Sequence, residues 1–527
     1  MTDISRKMLV ISMLLFLVCV YLGACGNNQK DYLVDGSTNG VRIGMSAAPR
    51  SLDPRIATDV ASARVQQLVF NSLIKLNKQS EIVPDLAESW EMPDETIYRF
   101  TLRNGVKFHN GKTLTTKDVK ATFDAMLSDA LASPRKAAYD KLAEITIVDD
   151  RIIEFKTVQP YAPFLINLVQ GILPEEEAVN LDPKKPVKPI GTGPFQIKEE
   201  YGDERIVLSA FDDHFNGRPI LDWLEFRVVP DDSIRVMELE KGSLDFVQND
   251  IPANSLKRLA KRPNLEVLSE PGTSYYYIGF NFRLKDHPTL HRRVRRALAL
   301  AIDRDEIIQH HLGGYAEKAT GVLPENHWAY DTSIEQVPYD LEKARELLDN
   351  SGFKEVDGKR FEIEFKVSQN KNSIQLAEII QAQWGKIGVK VNLKALEWGT
   401  FYEDIVNGNF ETYIMSWVGV TDPDIYYSLF HSTSIPPNGR NRGHYFNRNM
   451  NMLLDHQQTD FDQERRQKIY KKIHGIMAMD LPYISLWHAH NVVVKKKDLT
   501  GFEFYPAGDL VSFSRVSWAS RSTDTGE

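Results

Sequence analysis

A mixed α/β fold is what this chain predicts, and three observations predict it. The second half alternates helical and strand periodicities, and the first half carries a strand of strict two-residue alternation. At 527 residues the chain also has room for two or three domains with separate cores. The composition fits a globular body: with 42% apolar, 26% charged and 10% aromatic residues, disorder is expected only at the ends.

Taken in order, the elements justify that reading. Tyr98, Phe100 and Leu102 alternate with Arg99, Thr101 and Arg103, which turns one face of a strand toward a core, and Asn104-Gly105 supplies the turn after it. Thr115 or Thr116 caps a helix over 117–126. Beyond Pro288 a helix is predicted over about 290–302, with Val294, Ala297, Leu298 and Ala301 on one face. Asp340 caps another, which turns Leu341, Ala344, Leu347 and Leu348 inward and ends at Gly352. A third amphipathic helix spans 374–387. Gly388 closes it, and Val389, Val391 and Leu393 then alternate with Lys390, Asn392 and Lys394 as a strand. Lys495-Lys496-Lys497 follows Asn491-Val492-Val493-Val494 and reads as a solvated strand end, and residues 520–527 read as a polar tail.

The N-terminus predicts export. Arg6 and Lys7 precede an apolar run from Met8 to Val20, which suits the hydrophobic region of a signal peptide and is short for a bilayer span. Leu22-Gly23-Ala24-Cys25 is similar to a bacterial lipobox, so residues 1–24 are expected to be removed and Cys25 to be lipidated. Residues 25–40, with the small polar stretches Gly26-Asn27-Asn28-Gln29-Lys30-Asp31 and Gly36-Ser37-Thr38-Asn39-Gly40, read as a flexible tether. Cys19, the other cysteine, lies in the removed segment, so no disulfide is expected in the mature chain.

Charge and motifs narrow the function. A net charge of −8 with no long basic run argues against nucleic acid as a partner. Gly105 to Thr113 imitates a phosphate loop, but five residues separate its glycines, which spoils the convergence of amides on one phosphate. Gly44-Met45-Ser46-Ala47-Ala48 lacks the second glycine of a serine-hydrolase elbow. His488-Ala489-His490 offers two imidazoles on one strand with no third ligand in sight, and is read as a half-buried strand edge. His310-His311 falls at a helix end, where its rings are expected to meet the terminal carbonyls. No catalytic residue, metal or cofactor is predicted.

Four separated stretches resemble one family, the peptide- and nickel-type solute-binding proteins of ABC importers (extracellular solute-binding protein family 5, which includes dipeptide- and oligopeptide-binding proteins). The first runs from Leu86-Ala87-Glu88-Ser89-Trp90 through Tyr98–Gly111 to Thr116-Lys117-Asp118-Val119, and the second is Ile190-Gly191-Thr192-Gly193-Pro194-Phe195. The third joins Tyr276–Asn281 to Arg293–Ala297 and Ala301-Ile302-Asp303-Arg304. The fourth is Trp417-Val418-Gly419 with Asp422-Pro423-Asp424, Asn441-Arg442 and Tyr445. Order and spacing agree from about residue 41 to 505. The resemblance implies an α/β, two-lobed periplasmic-binding-protein-like clamp (cluster C, type II) with an inserted α+β subdomain in the first lobe. Lobe 1 would cover 41–285 with the insertion at about 76–189, lobe 2 would cover 286–495, and 496–527 would return to lobe 1.

The resemblance also implies a function: a monomeric, lipid-anchored receptor that closes on a peptide by hinge motion and delivers it to permease subunits of the importer. Trp417, Gly419 and Asp422 are expected to face the cleft. One of Tyr276 and Tyr277 is expected to join them, since alternation sends only one toward ligand, and Arg440 and Arg442 are expected to pair with a ligand carboxylate. Trp90, Phe100, Arg103 and Phe108 are expected to shape the inserted subdomain instead. One departure stands out. Peptide binders commonly carry an aspartate two or three residues after that tryptophan for the ligand amine, whereas here Val418-Gly419-Val420-Thr421 intervenes before Asp422. Either Asp422 takes the amine or the ligand has none there. This leaves a non-peptide solute (a nickel chelate, an oligosaccharide or an opine) as the alternative, with an exported hydrolase or a surface adhesin more remote.

Overall fold

A computed structural model of the protein describes residues 37–519; the expected signal segment, Cys25 and the 520–527 tail lie outside the described residues. Among the described residues no helix is long and apolar enough to cross a membrane.

The centre is an eleven-stranded mixed sheet. Its strands are β1 (Gly40–Met45), β2 (Phe195–Tyr201), β3 (Arg205–Ala210), β4 (Trp223–Val228), β5 (Phe246–Gln248), β6 (Leu265–Phe280), β7 (Ala316–Lys318), β8 (Phe361–Ser368), β9 (Val389–Leu396), β10 (Thr412–Trp417) and β11 (Tyr483–Lys496). The order is β9-β8-β10-β6-β11-β5-β1-β4-β3-β2, with β7 on the side of β11. The long antiparallel pair β6 and β11 belongs to both halves. Leu265–Glu270 pairs Asn491–Lys496 beside β5, and Ser274–Gly279 pairs Tyr483–Ala489 beside β10. Between these stretches the register breaks at Pro271-Gly272-Thr273. A Cβ on Gly272 would stand 2.6 Å from the Ala489 carbonyl, so only glycine lets the two strands cross this closely.

Each half has its own core. Val41, Ile43, Phe226, Phe246 and Phe513 pack under the β1 half. The β10 half is covered on both faces, by Leu298, Ile363, Phe365 and Trp384 on one side and Tyr277, Tyr413, Phe430 and Tyr470 on the other. A separate four-stranded antiparallel sheet (Ala87–Asp94, Ile97–Leu102, Leu142–Ile147, Ile152–Thr157) packs on helix α1 (Thr116–Leu127). Tyr98, Phe100, Phe108, Phe123 and Phe155 fill the space between them. The alternation expected for Tyr98, Phe100 and Leu102 is present, and all three are buried.

Two stretches that carry the family pattern turn out to be partners. The His109 amide donates to the Gly191 carbonyl (2.9 Å), and the Gly191 amide donates to His109 Nδ1 (3.2 Å). That bond leaves the proton on Nε2, which lies 3.0 Å from the Gly193 carbonyl. Burial lowers the His109 pKa to about 4, so the ring stays neutral in this clasp. A Cβ on Gly191 would lie 1.9 Å from the Val69 carbonyl, and one on Gly193 2.4 Å from that of Leu68. The glycines lay the chain directly on helix Val60–Val69.

Helices begin and end within a few residues of expectation. Thr115 caps α1 in a capping box with Asp118, and Asp340 caps Leu341–Asp349. The helix expected over 374–387 spans Lys371–Gly385, capped by Asn370. That expected after Pro288 opens with a tight turn and becomes α-helical over Arg292–Leu300. Two expectations fail: His488 is no half-buried strand edge, being buried 3.1 Å from the Val322 carbonyl on a strand paired on both sides, and Lys495 is no solvated strand end. Its Nζ is buried between Glu266 (2.6 Å) and the Leu499 carbonyl (2.7 Å), because β6 places the carboxylate of Glu266 opposite it in the ladder.

Candidate functional site

Alternation along three neighbouring strands builds the site's floor. Tyr275 and Tyr277 of β6 share one face, with Tyr413 of β10 and Tyr483 of β11. Tyr277 stacks on Tyr483 (centroids 4.1 Å apart), lies 5.6 Å from the parallel Tyr275 ring, and its hydroxyl is 3.5 Å from that of Tyr413. Burial holds the Tyr277 phenol well above its ordinary pKa, so it stays neutral. Trp417, the last residue of β10, lies flat over Tyr277 at 6.1 Å with 4° between planes. Tyr276 points through the opposite face of the sheet and stacks on Trp487. Of the two candidate tyrosines, Tyr277 is therefore the one beneath Trp417.

Trp417 is half-buried, and its indole N–H is enclosed with no hydrogen-bond partner among the described residues. A buried donor without a partner is costly in a finished core and ordinary in a binding surface awaiting ligand. The arginines sit against this ring. Arg442 Cζ lies 4.6 Å from its centroid and 5.1 Å from that of Tyr402, and Arg440 Cζ lies 5.4 Å from Trp417. Arg442 is 5% exposed. Its guanidinium donates to Met415 Sδ (3.4 Å) and reaches Tyr402 Oη (3.5 Å), and no carboxylate pairs with it among the described residues.

Asn441, between the two arginines, fixes their loop. Its Nδ2 donates to the carbonyls of His431 (3.2 Å) and Tyr445 (2.8 Å), and its Oδ1 accepts the Tyr445 amide (2.9 Å). Gly443 completes the fit, since a Cβ there would stand 2.3 Å from the Phe280 carbonyl.

Past Trp417 the chain bends at Gly419, whose φ of +67° favours glycine. The Val420 amide then returns to the Thr273 carbonyl, at the register break (3.3 Å). A Cβ on Gly419 would lie 3.7 Å from Ala507, in ordinary contact, so conformation rather than space calls for glycine here. Asp422 is half-buried: its Oδ1 accepts the Asp424 amide (2.7 Å), and burial raises its pKa. Asp424 Oδ1 takes hydrogen bonds from Gln457 (2.6 Å) and Gln458 (2.9 Å). Its Oδ2 takes one from the hydroxyl of Tyr161 (3.2 Å), which belongs to the core of the four-stranded sheet. Burial and the adjacent charge of Asp422 push the Asp424 pKa up to about 7.

Two contributors escaped the sequence reading. Tyr402 sits on a helix (Trp398–Asn407) whose pattern gives no hint of arginine stacking. Asp509 lies two residues beyond Ala507, the neighbour of Gly419. It is half-buried, its pKa is raised to about 6 by burial alone, and it has no hydrogen-bond or ion-pair partner among the described residues. The Pro506-Ala507-Gly508-Asp509 turn carries no periodicity that would have marked it.

Comparison with known proteins agrees with this architecture. Residues 81–437 match the family described as bacterial extracellular solute-binding proteins, family 5. The chain is 30% identical over 542 residues to the oligopeptide-binding protein AppA of Bacillus subtilis (strain 168), with 97% of this chain and 98% of that one covered. It is 28% identical over 495 residues to the dipeptide-binding protein of Escherichia coli (strain K12), covering 88% and 91%. The structure of AppA in complex with a nonapeptide superposes with a TM-score of 0.80, covering 91% of this chain and 99% of that one. NikZ from Campylobacter jejuni in complex with Ni(L-His), 26% identical, superposes at 0.81 over 91% of this chain and 100% of that one. The sheet, the inserted subdomain and these matches lead to one conclusion: the chain belongs to family 5 of the bacterial extracellular solute-binding proteins, the two-lobed binding components that work with ABC importers.

Proposed function

We propose that the protein is a lipid-anchored receptor that captures a peptide between its lobes and delivers it to permease subunits of an importer. One observation carries the ligand assignment: the buried guanidinium of Arg442, paired by no carboxylate among the described residues, between the rings of Trp417 and Tyr402. A peptide carboxylate satisfies that cation through two parallel hydrogen bonds, and the unpartnered indole N–H of Trp417 donates to a ligand oxygen beside it. Asp509 and Asp422 are the acids available for the ligand amine, and Gly419 shapes the wall between them. The relatives that bind an oligopeptide and a dipeptide support a peptide ligand here.

The expected lobe bounds, 41–285 with the insertion at about 76–189, 286–495 and a return over 496–527, we move to the register break of β6 and β11, so that Ser274–Phe280 goes with lobe 2 and Asn491–Lys496 with lobe 1. Cys25 is the lipid attachment point, and the receptor works as a monomer. Closure follows from differential affinity: ligand that touches both lobes only when they meet shifts the population toward the closed form. Gly419-Val420, two and three residues after Trp417 where peptide binders commonly have aspartate, favours one competing reading: the same role for a non-peptide solute such as a nickel chelate, oligosaccharide or opine.

Mass spectrometry of the purified protein, native and then denatured, tests the assignment. Release of heterogeneous short peptides is expected. A single non-peptide mass overturns the peptide assignment and leaves the receptor role intact.

A further inference from the structure

Asp509 and Arg442 each stand without an ion-pair partner among the described residues, and they are fixed to different halves of the molecule. Gln248, the last residue of β5, donates its Nε2 to the Gly508 carbonyl (3.1 Å), and the Leu510 amide donates to Gln67 Oε1 (2.6 Å) on helix Val60–Val69. Leu510 and Phe513 sink into the core of the β1 half. Asn491 Nδ2 adds bonds to the carbonyls of Tyr505 (3.2 Å) and Pro506 (3.0 Å), so the turn that carries Asp509 is held along its length. Arg442 belongs to the other half. It stacks on Trp417 at the end of β10, donates to Met415 Sδ of the same strand, and is followed by Gly443, pressed on the Phe280 carbonyl of β6.

The halves meet between these two charges. Gly419, two residues past Trp417, faces Ala507, two residues before Asp509, at 3.7 Å from its Cβ position. Two residues span at most about 7 Å, so the backbones at Trp417 and Asp509 lie no more than about 21 Å apart, within reach of a short extended peptide. Asp422 offers no such bridge: it follows Trp417 in the chain, and its Oδ1 already accepts the Asp424 amide. We propose that the ligand spans the two halves by its charged ends, its ammonium on Asp509 and its carboxylate on Arg442, so that only a peptide with both ends free draws the halves together. A ligand held by one half alone binds the open and the closed form equally and shifts nothing, however tight it is. A zwitterion engages both charges only when the halves approach, and that supplies the differential affinity closure needs. This deepens the peptide reading and rests on it for the chemistry of the ligand.

The test pairs calorimetric titration with small-angle X-ray scattering of the purified protein, using tri- and penta-alanine, each free, N-acetylated or C-amidated. Free peptide of at least one length is expected to bind and to contract the protein at saturation. Its blocked forms should bind roughly tenfold or more weakly, the worth of one charged hydrogen bond, and leave the radius of gyration of the unliganded protein unchanged even at saturation. Asp509→Asn, an isosteric change at a side chain without partners among the described residues, should make the free peptide behave as the N-acetylated one does. An unchanged melting temperature checks that its turn is intact. Full contraction by a blocked peptide overturns the bridge and leaves the peptide reading standing. So does discrimination against N-acetylation that survives in Asp509→Asn; its loss in Asp422→Asn would then place the amine on the segment after Trp417. Binding of none of the peptides overturns the peptide reading and the bridge with it.

Discussion

At the scale of single residues, the site is organised by charges that lack partners. A buried arginine without a carboxylate is held at a desolvation cost, and ligand relieves that cost. Arg442→Met keeps the stem that packs on Trp417 and removes the charge. It is expected to weaken peptides with a free carboxyl terminus by roughly 10–100-fold, in keeping with about 1.5–3 kcal/mol for a charged hydrogen bond. Titration of C-amidated peptide, which should bind wild type and variant alike, checks that the loss lies in the charge. Asp509 is the complementary case. Its pKa of about 6, raised by burial, means it ionises as pH climbs through 6, so binding of a free ammonium should strengthen over that interval. Asp509→Asn should abolish this pH dependence and lower affinity for peptides while sparing N-acetylated ones. Identical pH profiles in variant and wild type would remove Asp509 from the amine site. The arginines were legible in the sequence because the residues around Asn441 follow a family pattern. Asp509 was not, because an acid in a Pro-Ala-Gly-Asp turn looks like any solvated loop until folding encloses it.

At the scale of elements, the contact between Tyr161 and Asp424 joins the inserted subdomain to the segment after Trp417. The sequence reading placed Asp424 within the family stretch but could not foresee Tyr161, since 263 residues separate them. What the sequence did carry at this scale was alternation and punctuation. Tyr98–Leu102 is a strand because every second residue meets a core, and Gly191 is glycine because the Val69 carbonyl leaves no room for a Cβ. Asp424 also gives the contact a pH dependence whose sign is fixed. Its pKa is raised to about 7, from an ordinary 3.8, by burial and then by the charge of Asp422; the Tyr161, Gln457 and Gln458 hydrogen bonds oppose the shift. The protonated carboxyl is therefore the form that this contact prefers, so its contribution is full below about pH 4 and is lost as pH rises through about 7. Arg466, which acts on Asp422, and His327, bonded to the Thr421 carbonyl, face the same region. Burial lowers the His327 pKa to about 4, so it is neutral across the upper part of this window. Asp424→Asn should flatten the decline in melting temperature between pH 5.5 and 8 relative to wild type. Parallel curves for the two proteins would exclude Asp424 as its source.

At the scale of the whole molecule, the sheet is continuous through β6 and β11 but its register is not. The break at Pro271-Gly272-Thr273 falls where the two halves meet, beside Thr273, whose amide bonds the Pro506 carbonyl and whose own carbonyl takes the Val420 amide. Strands that are interrupted but not severed bend at a defined place while each half keeps its core, as a hinge requires. The proposed two-state closure then has two observable consequences. Ligand should shrink the radius of gyration measured by small-angle X-ray scattering, because both halves move as rigid bodies. It should also raise the melting temperature, since ligand at a hundredfold excess over Kd adds about 2.7 kcal/mol to the bound form. Tyr161→Phe separates the two effects. It removes the hydrogen bond from Tyr161 to Asp424 and leaves the arginines and Trp417 intact, so, under the proposed closure, ligand should still bind, about 2–10-fold more weakly for one lost hydrogen bond, with a smaller contraction at equal concentration. If the variant contracts as fully as wild type at every ligand concentration, Tyr161 takes no part in holding the lobes together, and closure rests on ligand contacts alone.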